Sequence, residues 1–158
     1  MHSLKTRRLC FVYHTPFWFE NGKIATSHAA VGKYVESLSP FFQKIYLGVP
    51  NPGEGDKTQY ILKPDNFELF HLPHYHNILG FWLNAPRIYF EFYHSAKRWD
   101  MLHIRLPNHL AFPAYFAARM QKKSDFNVIV GEFYDYNRMA NYPYLKQKLV
   151  NLDSRIQD

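Results

Sequence analysis

The chain of 158 residues carries one cysteine, Cys10. An intramolecular disulfide framework is therefore excluded, and a reducing compartment suits such a composition. Cys10 falls within an apolar run and reads as core. Acids are outnumbered: thirteen Asp and Glu face nineteen Lys and Arg, for a net charge of +6. That balance suits phosphates, anionic lipids or nucleic acid as partners, and equally an ordinary basic surface. Long apolar runs are missing. The most apolar stretch, Ile78–Phe92, is interrupted by Asn84, Arg87 and Glu91, and it is shorter than the ~20 residues of a spanning helix. Arg7-Arg8 precede only Leu9–Tyr13 before His14, too short for the apolar core of a signal peptide. The expectation is a cytoplasmic protein, at most peripheral at a membrane. Internal repeats, low-complexity tracts and the RNP, KH and zinc patterns of nucleic-acid binders are all missing, so nucleic acid is not an expected partner.

What is present is apolar and aromatic, nearly half of the residues at 47%. This is enough for one domain with its own core. The centre of the chain, Trp99–Asp135, reads as strand, helix, strand. Asp100–Leu106 is the first of these strands, closed by Pro107. Asn108 offers an N-cap for a helix through about Gln121. Lys122-Lys123-Ser124-Asp125 is a charged stop, and Asn127–Val130 is the second strand, broken by Gly131. Two apolar strands joined by one helix suit a parallel pair, because parallel neighbours need a long crossover. Buried parallel strands require helices on both faces of the sheet.

The remaining segments fit the same plan. Arg8–His14 is a first strand and Thr15–Lys23 a loop. The Asn21-Gly22 pair in it is read as a turn ahead of a helix rather than as a hairpin. Thr26 or Ser27 caps that helix, which presents Val31, Tyr34, Val35 and Leu38 on one face, and Pro40 ends it. Gln43–Val49 is the second strand, Pro50–Asp56 a breaker-rich loop, and Phe67–Leu72 the third strand. Ile78–Lys97 is an aromatic helical segment, kinked or started at Pro86. Leu145, Leu149, Leu152 and Ile156 give a tail with helical spacing. The order is β-α-β-β-α-β-α-β-α, with the helix between the second and third strands missing or very short. The fold class is α/β: a Rossmann-like parallel sheet, strand order 3-2-1-4-5, covered by helices on both faces. In such sheets ligands sit at the carboxyl ends of the strands, where the order reverses. Those ends are Thr15–Lys23, Pro107–His109 and Glu132–Asp135.

Candidate site residues follow from that placement. Gly22 and Lys23 stand before a helix N-terminus, where backbone N–H groups and the helix dipole favour an anion, although Asn-Gly also makes plain turns. Arg105 ends a buried strand, with Asn108 and His109 just beyond. A cation there faces either a ligand or a structural carboxylate. Glu132 and Asp135 can act as base or electrostatic stabiliser, or stand solvated in a turn. His71, His74 and His76 lack helical spacing and a cysteine partner, so a metal site is not expected. His103 alternates with Leu102 and Ile104, as a hydrogen-bonded core histidine would. The aromatic stripe Phe81–Tyr93, flanked by Arg87, Lys97 and Arg98, either covers the sheet or meets an anionic membrane surface.

Taken in order, these segments resemble the N-terminal domain of family-4 glycosyltransferases, which have two Rossmann-like domains. The likeness lies in the basic first strand and glycine-bearing loop, in SLSPFFQKIYLGVP, in WDMLHIRLPN and in NVIVGEFYD. It covers most of residues 1–158, taken as a single domain. The family often has two glycines in the first loop and a His after the fifth strand; here only Gly22 and the segment GEFYD are found. The resemblance implies the N-terminal half of a GT-B type enzyme that transfers a sugar from a nucleotide-sugar, a co-substrate rather than a cofactor, to a glycan or lipid-linked glycan hydroxyl. It implies Gly22 and Lys23 near the donor phosphates, and Arg105, Asn108 and His109 lining the cleft. Glu132 or Asp135 would orient the acceptor. The donor domain is missing, so the chain is expected to be truncated or completed by a partner chain, and inactive alone. The alternative is a non-enzymatic α/β module that meets a partner chain or membrane through Ile78–Lys97.

Overall fold

The computed structural model describes residues 4–129, apart from 54, 55, 74, 76 and 107. Its centre is a five-stranded parallel sheet in the order β6-β4-β1-β7-β8. The strands are β1 (Arg8–Val12), β4 (Lys44–Pro50), β6 (Phe67–Leu72), β7 (Met101–Leu106) and β8 (Ser124–Ile129). In terms of these five strands this is the order 3-2-1-4-5, a Rossmann-like α/β sheet as expected. Helix α1 (Ala29–Leu38) follows β1, α2 (Ile78–Ser95) links β6 to β7, and α3 (Ala111–Met120) links β7 to β8. Among the described residues no helix separates β4 from β6.

Strand β1 shows how the layers form. Side chains alternate across a strand, so Leu9 and Phe11 enter the core under α1, while Cys10 and Val12 enter the core under α2 and α3. All four are fully buried, and burial holds the Cys10 thiol pKa well above its usual value. The same alternation in β7 sends Leu102 and Ile104 towards α2 and α3. His103 and Arg105 take the α1 side, where both meet Tyr34. At the opposite end of the sheet, Arg8 forks onto Asp100: Nε donates to Oδ2 at 3.1 Å, Nη2 to Oδ1 at 2.9 Å, and the Arg8 N–H to Oδ2 at 3.0 Å. The hydrogen bond from Arg8 lowers the Asp100 pKa.

One stretch departs from the sequence reading. Thr15–Lys23 is not a loop that leads into a helix. Phe17–Glu20 (β2) and Lys23–Thr26 (β3) form an antiparallel hairpin, with Glu20 opposite Lys23. Asn21 and Gly22 are its two-residue turn, at φ 50° and 78°. Positive φ at both central residues is the type I′ requirement that Asn-Gly meets best. Tyr60–Ile61 (β5) pairs with β3 and completes a small second sheet. Helix α1 therefore begins later, capped at His28 without a side-chain bond, and Thr26 belongs to β3. Helix α2 runs through Pro86 instead of starting there, and Asn77 caps it by accepting the Gly80 N–H at 2.8 Å. Ser124 and Asp125, expected to be part of a charged stop, already belong to β8.

Gly48 in β4 lies against the edge-on pair Phe70 and Phe92, whose ring centroids are 5.7 Å apart. A β-carbon at this position would fall 2.5 Å from Phe70 Cζ and 3.0 Å from Phe92 Cε1. Overpacking of this kind costs about 1–3 kcal/mol. Gly48→Ala is accordingly expected to lower unfolding free energy by about that amount in urea titration, with an unchanged denaturant slope.

Candidate functional site

The carboxyl ends of β1 and β7 are where the strand order reverses. Arg105 leaves β7 here, on the α1 side of the sheet. Its guanidinium carbon lies 5.4 Å from the Tyr13 ring centre and 5.2 Å from that of Tyr34. Its Nε is buried and has no hydrogen-bond partner in the structure. Among the described residues the ion pairs involve Arg8, Lys44 and Arg98, and none reaches Arg105. Among the described residues the cation is thus held by aromatic faces rather than by a carboxylate.

A short relay sets the position of Tyr34. His103 is fully buried and stacks on Phe126 of β8, with centroids 4.3 Å apart and planes 9° apart. Its Nδ1 lies 3.3 Å from the Phe126 carbonyl, and its Nε2 lies 2.8 Å from the Tyr34 hydroxyl. With Nδ1–H donating to the carbonyl, Nε2 accepts from Tyr34. Burial lowers the His103 pKa, and the nearby Arg105 charge adds to this against the Phe126 hydrogen bond. His103 is the hydrogen-bonded core histidine expected from its place in the strand.

Three more histidines surround this end of the sheet. His14 packs on Tyr13, with centroids 4.2 Å apart, and lies 6.3 Å from His109. Its pKa is pushed down to about 4, first by burial and then by charge on His109, His28 and Arg105. The His14 side chain is exposed to solvent, which weakens the burial contribution; the three neighbouring charges keep the shift in the same direction. His109 is half-buried, with its ring against Phe81 and Tyr75 at 5.6 and 6.0 Å. His28 caps α1. This corner is a fixed guanidinium among aromatic rings, with neutral His14 as a hydrogen-bond acceptor at neutral pH. Such a surface can bind an anion and place a hydroxyl beside it.

Of the residues predicted from sequence, Arg105 and His109 come together here. Asn108 adjoins them but has a structural role: it is fully buried, its Nδ2 donates to the Val12 carbonyl at 3.3 Å, and its Oδ1 accepts the Leu110 N–H at 3.0 Å. It thus ties the end of β1 to the start of α3, where helix α3 takes Leu110 and not Asn108 as its N-cap. Gly22 and Lys23 occupy the hairpin tip, and Lys23 is exposed. Three residues of strand, about 10 Å, separate them from the hairpin base. The premise that they adjoin a helix N-terminus is corrected by the hairpin. Glu132 and Asp135 lie outside the described residues, as do His74, His76 and the tail 136–158. Among the described residues no group of three His, Cys, Asp or Glu is arranged to hold a metal ion. Also among them, no helix is long and apolar enough to cross a membrane. Sequence reasoning missed Tyr13, His14, His28 and Tyr34. The alternation Met101, His103, Arg105 was the available signal, because it directs Arg105 towards the helix that carries Tyr34.

No family model and no curated protein matches the chain. The C-terminal domain of a hydrogenase from Pyrococcus furiosus is similar in structure, with a TM-score of 0.50 and 10% identity, over 80% of this chain and 95% of that one. This likeness supports the parallel α/β fold and nothing about activity. A protein described as a UDP-N-acetylglucosamine 2-epimerase from Listeria monocytogenes aligns with a TM-score of 0.47 and 10% identity, over 94% of this chain and 37% of that one. The second likeness supports no conclusion about this chain. The family-4 glycosyltransferase resemblance therefore rests on the sequence pattern.

Two measurements check this geometry. Proton NMR of the His14 ring is expected to titrate near the value of about 4, against an ordinary 6.5. A folded pKa below the unfolded one means that the unfolded chain binds more protons in between. The His14 contribution to stability is then complete above about pH 6.5 and declines as pH falls from 6.5 towards 4. His14→Gln is expected to flatten that decline in a pH series of thermal midpoints. Asn108→Leu leaves the Val12 carbonyl and the Leu110 N–H without this partner. A loss of about 1–3 kcal/mol is expected in denaturant titration.

Proposed function

We propose that this chain is the acceptor-side, N-terminal domain of a glycosyltransferase. The complete enzyme moves a sugar from a nucleotide-sugar to a hydroxyl of a glycan or lipid-linked glycan. The observation that carries this reading is Arg105. It is stacked between Tyr13 and Tyr34, its Nε is buried without a hydrogen-bond partner, and it stands at the strand ends where such sheets bind ligands. A half-buried guanidinium with no carboxylate partner among the described residues suits a phosphate or another oxyanion.

The roles follow from the chemistry. Arg105 binds an anionic group, and His109 closes the wall towards Phe81. Neutral His14 accepts a hydrogen bond from the acceptor hydroxyl. Lys23, on its long stem at the hairpin tip, supplies a cation at the rim for the donor phosphates, and Gly22 sets the turn that carries it. Asn108 positions the wall rather than touching ligand. Glu132 and Asp135 are assigned to orienting the acceptor. The donor site belongs to a second domain or partner chain, so the isolated chain is expected to turn over negligibly.

Titration of the isolated chain with UDP-glucose, followed by NMR of the His14 and His109 rings, tests this reading. Shifts of both rings are expected, with affinity reduced roughly tenfold or more in Arg105→Gln, since hydrogen bonds to charged groups contribute about 1.5–3 kcal/mol. Unchanged affinity in Arg105→Gln sinks the assignment. Equal displacement by inorganic phosphate reduces it to a general anion site.

A further inference from the structure

Helices α2 and α3 both return the chain from the carboxyl ends of strands to the amino ends, so they run in the same direction on one face of the sheet. Their inner sides fill the core with Phe81, Ile88, Phe92, Ala114 and Ala117. Their outer sides are also apolar. Leu79, Leu83 and Phe90 recur at helical spacing on α2, and Phe112, Phe116 and Met120 do so on α3. All six are exposed, from 48% for Phe116 to 76% for Leu83. Ring contacts make the two stripes continuous: Phe90 meets Tyr89 at 6.0 Å, Tyr89 meets Phe116 at 5.5 Å, and Phe116 stacks on Phe112 at 6.2 Å. Scattered exposed apolar residues are ordinary on a protein surface, but a continuous patch of this kind marks an interface.

Charge indicates what the interface meets. Within the two helices the cations Arg87 and Arg119 are exposed, and Glu91 is the one acid. Lys97 and Lys122 are exposed where the helices end, at the same end of the sheet. Of the other cations there, Arg98 is engaged by Glu68 at 2.7 Å, and Lys123 lies over the Trp99 ring at 6.0 Å. We propose that the outer faces of α2 and α3 dock on an anionic lipid bilayer. The rings enter the boundary between headgroups and acyl chains, and Arg87, Arg119, Lys97 and Lys122 lie among the lipid phosphates. This surface uses none of the residues assigned to the cleft around Arg105.

Flotation of the full chain with phosphatidylcholine vesicles, with and without phosphatidylglycerol, tests the proposal. Flotation is expected with the anionic vesicles and is expected to fall with added salt. Phe112→Ser with Phe116→Ser is expected to weaken it roughly tenfold or more. Arg87→Gln and Arg119→Gln, which remove exposed charge and leave the core intact, are each expected to weaken it about fivefold. Circular dichroism of each variant confirms the fold. A wild-type chain that stays unbound overturns the proposal. So does equal binding to neutral vesicles, or binding indifferent to the arginine variants. Lipid-independent dimers that the Phe variant dissolves, together with no flotation, assign the patch to a second copy of the chain.

Discussion

Every layer of this domain is referred to β1. It is hydrogen-bonded to β4 on one edge and β7 on the other, with Phe11 opposite both Leu47 and His103. A strand paired on both edges and covered on both faces favours apolar side chains unless a buried partner satisfies a polar one. That is why Leu9-Cys10-Phe11-Val12 is an unbroken apolar run. The chain leaves β1 in one direction to build β4 and β6, and later returns to the other side for β7 and β8. The strand order reverses at its carboxyl end, and Tyr13, His14 and the Asn108 clamp on the Val12 carbonyl are what the chain places there.

Much of this architecture was legible because buried parallel strands and amphipathic crossovers leave strong periodic signals. Phe67–Leu72 matches its strand residue for residue, and α2 starts at Ile78 as expected. The hairpin was not legible. Phe17–Glu20 and Lys23–Thr26 are only four residues each, and neither alternates cleanly. The first is apolar at Phe17, Trp18 and Phe19. In the second, Ile24, Ala25 and Thr26 are all buried, because the strand is the central one of the small sheet, between β2 and β5. Asn21-Gly22 itself was the correct signal, and it lost weight because its flanks lacked the period of two. The two-residue β5 exists only through its pairing with β3.

The candidate site was half legible. Arg105 and His109 could be placed from the strand that precedes them. Tyr13, Tyr34 and His28 could not, because their significance comes from a meeting between β1, α1 and β7 that no local window contains. Asn108 illustrates the opposite error. A buried polar residue at a strand end attracts a ligand reading, yet its amide is used by the backbone groups it joins. The aromatic rings around Arg105, with no carboxylate among the described residues paired to it, also change what that cation can do. Ring faces hold a guanidinium without neutralising it, so its charge stays available.

The line from the Phe126 carbonyl through His103 and Tyr34 to Arg105 runs from β8, which among the described residues is paired only to β7, to the carboxyl ends of β1 and β7. Edge strands are held on one side only and are among the first parts of a sheet to loosen. The setting of Tyr34 and Arg105 therefore depends on a strand at one margin of the described sheet. A substitution that slackens β8 would turn Tyr34 and free the guanidinium while the rest of the domain stayed folded. The contact between Tyr34 and Arg105 would then be lost at temperatures where the global fold still registers as intact.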